Sequence, residues 1–271
     1  MYSGNIDKDL NSSDPDVRVE ALIELIKRDD RTYARTVIDL FSEPDEAVRS
    51  EAVRAAGYLG RDTPDTVGPY LVTMLSDSDE MVRSQAADAL GLVVFPPAAA
   101  PLSERLKSDP SWIVRAAAAE SLGNYGGGGL IELMNRALDD TEYLAVQRYA
   151  IESLGKSNGY LPRAEMERLV TELGNDPELG VQVRVAAYRF GIEEQLESLK
   201  LLAPVIDEPQ TDFLMNDFWD MLGSPRPPSL FNDTKTISQI LDIVVVRWPV
   251  WTSRAEEIRR VVRRSSPPNG D

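Results

Sequence analysis

The chain contains no cysteine and no histidine. Without thiols there is no disulfide, no thiolate nucleophile and no iron–sulfur cluster. Without imidazole there is no Ser-His-Asp triad, and zinc sites built from Cys or His are excluded as well. Only carboxylate chemistry remains, either acid–base work or a hard-cation site. Long apolar runs are also missing. The best candidate, Ile243-Val244-Val245-Val246, is cut off by Arg247, so no membrane span is expected. The first eleven residues carry Asp7, Lys8 and Asp9 and no apolar core, which reads as a cytoplasmic protein without a signal peptide. Basic residues are the minority, 29 against 45 acidic, for a net charge of −16. Such a surface repels phosphate backbones, so no nucleic-acid partner is expected, whereas a basic protein suits it. Apolar residues at 42% of the 271 are sufficient for a packed core.

What is present is a repeat. An acidic turn, then Val-Arg, then small residues, recurs as Asp14-Pro15-Asp16-Val17-Arg18, Glu43-Pro44-Asp45-Glu46-Ala47-Val48-Arg49 and Asp77-Ser78-Asp79-Glu80-Met81-Val82-Arg83. It continues as Asp109-Pro110-Ser111-Trp112-Ile113-Val114-Arg115 and Asp140-Thr141-Glu142-Tyr143-Leu144-Ala145-Val146-Gln147. A drifted sixth copy runs from Asp176-Pro177 through Val183-Arg184 to Gly191. The first five valines fall at 17, 48, 82, 114 and 146, a spacing close to 32. Asp-Pro is a good helix start, because the carboxylate accepts orphan N–H bonds and Pro suits the first helical position. Val, then Ala four residues later, then Leu form a buried helical stripe, as in Val82, Ala86 and Leu90. A glycine nine residues after the Val (Gly57, Gly91, Gly123 and Gly155) is expected to supply a left-handed C-terminal cap. A second amphipathic segment precedes each such helix, at 34–41, 67–75, 130–138 and 166–173. Neither helix of a pair can bury its apolar face alone, and stacking the pairs solves that.

The pattern D-P-x-x-x-V-R-x-x-A-x-x-A-L-G resembles the HEAT-like repeat, in particular the short form named after phycobilisome lyases, over residues 14–207. The resemblance implies an all-α fold, a right-handed α-solenoid of about six helix pairs. It also implies that the Val-Arg helices line the concave side, and that the repeated arginines Arg18, Arg49, Arg83 and Arg115 pair with acidic turns of their own or the next repeat. Gln147 interrupts that ladder in the fifth copy.

The solenoid is assigned to residues 1–223. Ser224-Pro225-Arg226-Pro227-Pro228 breaks the helical pattern, residues 224–265 read as a C-terminal helical cap, and residues 266–271 read as a disordered tail. Three of the four tryptophans, Trp219, Trp248 and Trp251, lie near this cap, with Arg259 and Arg263 on a basic helix at 252–264. They cover the last repeat or form a docking site for a partner. Gly126-Gly127-Gly128-Gly129 lacks the Lys-Ser/Thr of a phosphate loop and reads as an inter-helix turn.

Positions three, six and ten after each Val point away from the buried stripe. They place Glu51, Arg54, Tyr58, Gln85, Asp88, Leu92, Ala117, Glu120, Asn124, Tyr149, Glu152 and Lys156 on one face. Its centre is a ridge of carboxylates, Asp88, Glu120 and Glu152, flanked by Tyr58 and Tyr149. With no second catalytic residue type converging on them, these carboxylates fit partner binding better than hydrolysis or metal binding. The expectation is a non-catalytic protein-binding scaffold or adaptor with no cofactor and no metal, whose partner is another protein of basic or mixed charge. Two alternatives stand beside it: a phycobilin-lyase-like subunit that holds a bilin without Cys or His, and an immunity or inhibitor protein that neutralises a basic partner.

Overall fold

In the computed structural model the described residues are 4–157, 160–180, 183, 186, 241, 242, 245 and 252–265, and no strand occurs among them. The chain divides into two compact units, Met1–Pro162 and Arg163–Asp271. The expected boundary at 223/224 and the expected tail fall outside the described residues.

Within the first unit, α1 (Ile6–Leu10) leads into α2 (Pro15–Arg28), and two 3-10 helices follow, Arg31–Tyr33 and Thr36–Ser42. Then come α3 (Glu46–Leu59), α4 (Pro64–Met74), α5 (Glu80–Val93), a 3-10 turn at Pro96–Ala98, α6 (Ala99–Ser108), α7 (Trp112–Leu122), α8 (Leu130–Ala137) and α9 (Leu144–Gly155). The Val-Arg helices α2, α3, α5, α7 and α9 pack on one another in succession. The intervening helices α4, α6 and α8 pack against this row as a second layer. The stripe Val48/Ala52, Val82/Ala86/Leu90, Val114/Ala118/Leu122 and Val146/Ala150/Leu154 is fully buried between them. This is the stacked-pair core that the periodicity requires.

The helix starts follow the acidic turns. Asp45 accepts from the backbone N–H groups of Ala47 and Val48 at 3.0 and 3.1 Å, and Asp79 accepts from those of Met81 and Val82. Asp14 caps α2 with Pro15 at its first position. That is the one described Val-Arg helix in which the proline sits inside the helix start; Pro44 and Pro110 lie in the turns before α3 and α7. The segment at 34–41 forms a 3-10 run rather than an α-helix, consistent with the χ1 restriction of its β-branched residues Thr36, Val37 and Ile38.

The repeated glycines do something other than cap. Gly57 and Gly91 lie inside α3 and α5, and Gly123 follows α7 with an ordinary φ of −58°. Each lies against a small residue of the next repeat's helix. A Cβ at Gly57 would stand 2.7 Å from Ala89 Cβ and 2.8 Å from its Cα. At Gly123 it would stand 2.7 Å from Ser153 Oγ, and Gly91 meets Ser121 in the same way. The serine hydroxyls then donate across the contact, Ser121 to Ala87 O at 2.9 Å and Ser153 to Ala119 O at 2.7 Å. The glycine therefore permits close approach of neighbouring backbones.

The arginine ladder is present and points forward. Arg18 pairs with Glu43 at 3.2 Å, Arg49 with Asp77 at 3.0 Å, Arg83 with Asp109 at 2.9 Å and Arg115 with Glu142 at 2.6 Å. The last three are two-pronged. The remaining guanidinium nitrogen donates to turn carbonyls five and six residues back, as from Arg83 to Asp77 O and Ser78 O. Gln147 keeps only the backbone half of this arrangement, donating to Asp139 O at 2.9 Å.

In the second unit α10 spans Arg163–Leu173, and Asp176 accepts from the backbone N–H groups of Glu178 and Leu179 at 2.8 Å. Val183 and Ala186 are buried, as expected of a sixth copy. The basic helix, α11, runs Thr252–Ser265.

Candidate functional site

The row of Val-Arg helices carries an open cleft of about 370 Å³. It is lined by Arg54 and Tyr58 of α3, Gln85, Asp88 and Leu92 of α5, and Glu120 and Asn124 from α7 and just beyond it. Its floor is Ala89, Gly91 and Ser121. The floor was not part of the projected face. Its signal in the sequence is the small residue seven positions after each Val, opposite the glycine nine after the preceding Val. Close approach of α3, α5 and α7 brings the rim side chains within reach of one ligand.

Five of the projected site residues line this cleft: Arg54, Tyr58, Gln85, Asp88 and Glu120. The other three lie beside it. Glu51 is spent on Arg54, three residues along the same helix, through two hydrogen bonds from Arg54 Nε at 3.1 and 3.0 Å. Tyr149 is exposed and electrostatically close to Glu120, Glu152 and Asp88. The Glu120 charge, with burial and then Glu152 and Asp88, raises its phenol above the ordinary value. Glu152 pairs with Lys156 at 3.5 Å, so the ridge of three carboxylates is not uniform. Ala117, projected onto the same face, is buried. Asn124 donates its amide to Gly91 O at 3.1 Å and stiffens the rim.

Asp88 and Glu120 are distinctive because neither forms an ion pair or hydrogen bond in the structure. Their counterparts on the turns, Asp77, Asp109 and Glu142, are each matched by an arginine. The consequence appears in their acidities. Burial pushes the Asp109 carboxyl up, but hydrogen bonds from Arg83 and the Ser111 N–H, with nearby cationic charge, outweigh it and hold the group below its usual range. Burial pushes Asp88 up with nothing to offset it, and the Glu120 charge adds to the rise, to about 6. Among the described residues no group of three or more carboxylates is placed to hold a metal ion.

An ionised Asp88 above pH 6 is therefore a cost to the fold. The folded protein binds this proton more tightly than the unfolded chain, so the cost is absent below the unfolded value of 3.8, grows as pH rises, and is complete above about 6. Discounted for its partial exposure, the shift corresponds to about 1–2 kcal/mol. Asp88→Asn should stabilise the protein by that amount at pH 8 and by nothing near pH 4, as read from denaturant melts at both pH values.

Outside the cleft, Trp112 and Tyr143 stack with ring centroids 5.4 Å apart at the helix starts of successive repeats, with the Arg115 guanidinium 6.0 Å from the Tyr143 ring. Of the candidate docking residues at the C-terminus, Trp219, Trp248 and Trp251 lie outside the described residues. Arg263 is part of α11, and Arg259 forms an ion pair with Asp242. Gly126 and Gly129 adopt left-handed φ of 59° and 76° in the turn between α7 and α8, as a turn of this type requires. No helix among the described residues is long and apolar enough to cross a membrane.

A family model described as HEAT repeats matches residues 8–91, 55–123 and 99–188. The chain belongs to the HEAT-repeat family and is an all-helical α-solenoid. Among solved structures it is similar to the complex of CpcE and CpcF of phycocyanin lyase from Nostoc sp. PCC7120, at 17% identity and a TM-score of 0.53. That likeness covers 97% of this chain and 94% of the other. It is also similar to YibA of Escherichia coli, at 16% identity and a TM-score of 0.55, covering 96% and 93% of the two chains. No curated protein matches the sequence. Both structural likenesses concern the fold.

Proposed function

We propose that this protein is a non-catalytic binding scaffold that holds another protein against the row of Val-Arg helices. The observation that carries the reading is the un-neutralised pair Asp88 and Glu120 in an open cleft. Every comparable carboxylate of the turns from Asp77 onward is matched by an arginine, while this pair is kept free on the exposed face at a cost to stability. Preorganised, unmatched charge of this kind favours a partner of opposite sign and speeds its association. A net charge of −16 works in the same direction.

The test compares affinity capture from the native host by the wild-type chain and by Asp88→Lys/Glu120→Lys/Glu152→Lys, with bound proteins identified by mass spectrometry. A partner retained by the wild type and lost with the variant is expected. Equal recovery by both would exclude the cleft face, and no specific partner for either would remove the scaffold reading. The likeness to the CpcE–CpcF complex supports a second reading, a lyase-like subunit. It requires bilin absorbance to accompany the chain after incubation with phycocyanobilin.

A further inference from the structure

We infer that the cleft between α3, α5 and α7 receives a single arginine side chain of the partner, its guanidinium set between Asp88 and Glu120 and against the Tyr58 ring. The inference rests on the scaffold reading and adds the chemistry of the anchor.

Three features of the cleft select this occupant. First, the two carboxylates come from adjacent helices and offer acceptor oxygens on two sides of the same space. A planar guanidinium with five donors satisfies acceptors on two sides at once, whereas an ammonium is a compact point charge that prefers water. Second, Tyr58 is 38% exposed and Leu92 47% exposed, so the rim gives an aromatic face and an apolar edge to a cation and its methylene stem. Third, the one cation already present does not compete. Arg54 is held by Glu51 on its own helix, so the lining retains the excess negative charge of Asp88 and Glu120. A cleft of about 370 Å³ is wide enough for one long side chain and too small for a folded element. The arginine comes from a different protein, because two copies of a chain with net charge −16 repel each other.

The charged and titratable groups that face Asp88 are Glu120 from α7, the Arg54–Glu51 pair and Tyr58 from α3, and Tyr149 from α9. Only Asp88 titrates between pH 5 and 7.5 in this set. Binding of a cation requires its ionised form, so affinity falls as pH drops through about 6. Going from pH 7.5 to 5 converts most of the Asp88 population to the neutral acid and weakens binding roughly tenfold.

The experiment is a titration of the full chain, followed by NMR chemical-shift changes, with N-acetyl-L-arginine methylamide and with the corresponding lysine and citrulline amides. The arginine amide should bind at least about tenfold more tightly than the neutral citrulline amide and several-fold more tightly than the lysine amide. Shifts should centre on Tyr58 and Leu92. Binding should weaken roughly tenfold at pH 5 and be lost with Asp88→Asn/Glu120→Gln, whose near-isosteric changes keep the fold. Equal binding of arginine and citrulline amides, tighter binding of the lysine amide, or unchanged binding by the double variant overturns the inference. A host protein captured by the wild type and lost with the charge-reversed chain, while the arginine amide fails to bind, leaves the scaffold standing and removes the arginine anchor. A wild-type dimer in sedimentation that dissociates with Asp88→Asn/Glu120→Gln overturns the assignment of the arginine to a different protein.

Discussion

Replacing Arg83 by Ala should destabilise the protein by about 3–5 kcal/mol, the cost of leaving a buried charge without its partner. Asp109 has no exposed side-chain surface, and Arg83 supplies its two shortest cationic contacts, at 2.9 and 3.0 Å. Arg105 stands 3.6 Å away, as a secondary cation. Removing Arg83 also strips a donor from the carbonyls of Asp77 and Ser78, which loosens the turn before α5. The effect should be graded along the ladder. Arg18→Ala should cost much less, on the order of 1 kcal/mol, because Glu43 is the most exposed acidic partner in the series and water can replace the arginine. The double change Arg83→Gln/Asp109→Asn should recover much of the loss, since it removes the orphaned charge. The fifth repeat already uses Gln147 to serve the turn carbonyl. Urea melts of the three variants form the check, and equal losses at Arg18 and Arg83 would contradict the burial argument.

Gly57→Val should cost at least about 3 kcal/mol, and Gly57→Ala roughly half of that. The sign of the alanine change is informative. In an exposed helix interior, Gly→Ala stabilises by up to about 1 kcal/mol. Here the new Cβ would stand 2.8 Å from the Cα of Ala89, so α3 and α5 must separate along their length. Separation exposes the Val48/Ala52 and Val82/Ala86 stripe that both helices bury. Ala89→Gly in the same chain should restore most of the loss by returning the space on the other side of the contact. A stabilising Gly57→Ala, measured by thermal melts, would show that the helices are not in contact there.

The repeat was legible because its register is written several times over. The Val/Ala/Leu stripe, the acidic turns and the forward-pairing arginines each recur, so a misjudged residue in one copy is corrected by the next. The same redundancy placed Arg54, Tyr58, Gln85, Asp88 and Glu120 around one cleft, since positions six and ten after the Val share a face in every copy. The glycines were misread because a helix-ending cap and a close helix–helix contact both select a residue without Cβ. Only the partner across the interface, Ala89 or Ser153, separates the two, and that pairing depends on inter-repeat geometry rather than local pattern. Pairing state was likewise hidden. Asp88, Glu120 and Glu152 occupy equivalent positions, yet Lys156 lies four residues beyond Glu152, and position 92, four beyond Asp88, is Leu. Sequence periodicity placed all three on one face but did not separate the paired carboxylate from the free ones.

The account's central claim is that Asp88 is kept unneutralised, against stability, for the sake of a partner. Asp88→Asn tests it most directly when its unfolding free energy at pH 8 and its recovery of a captured host partner are measured on the same preparation. A gain of about 1–2 kcal/mol in stability together with loss of the partner is the predicted result. A variant that is no more stable than the wild type and retains the partner in full would contradict it.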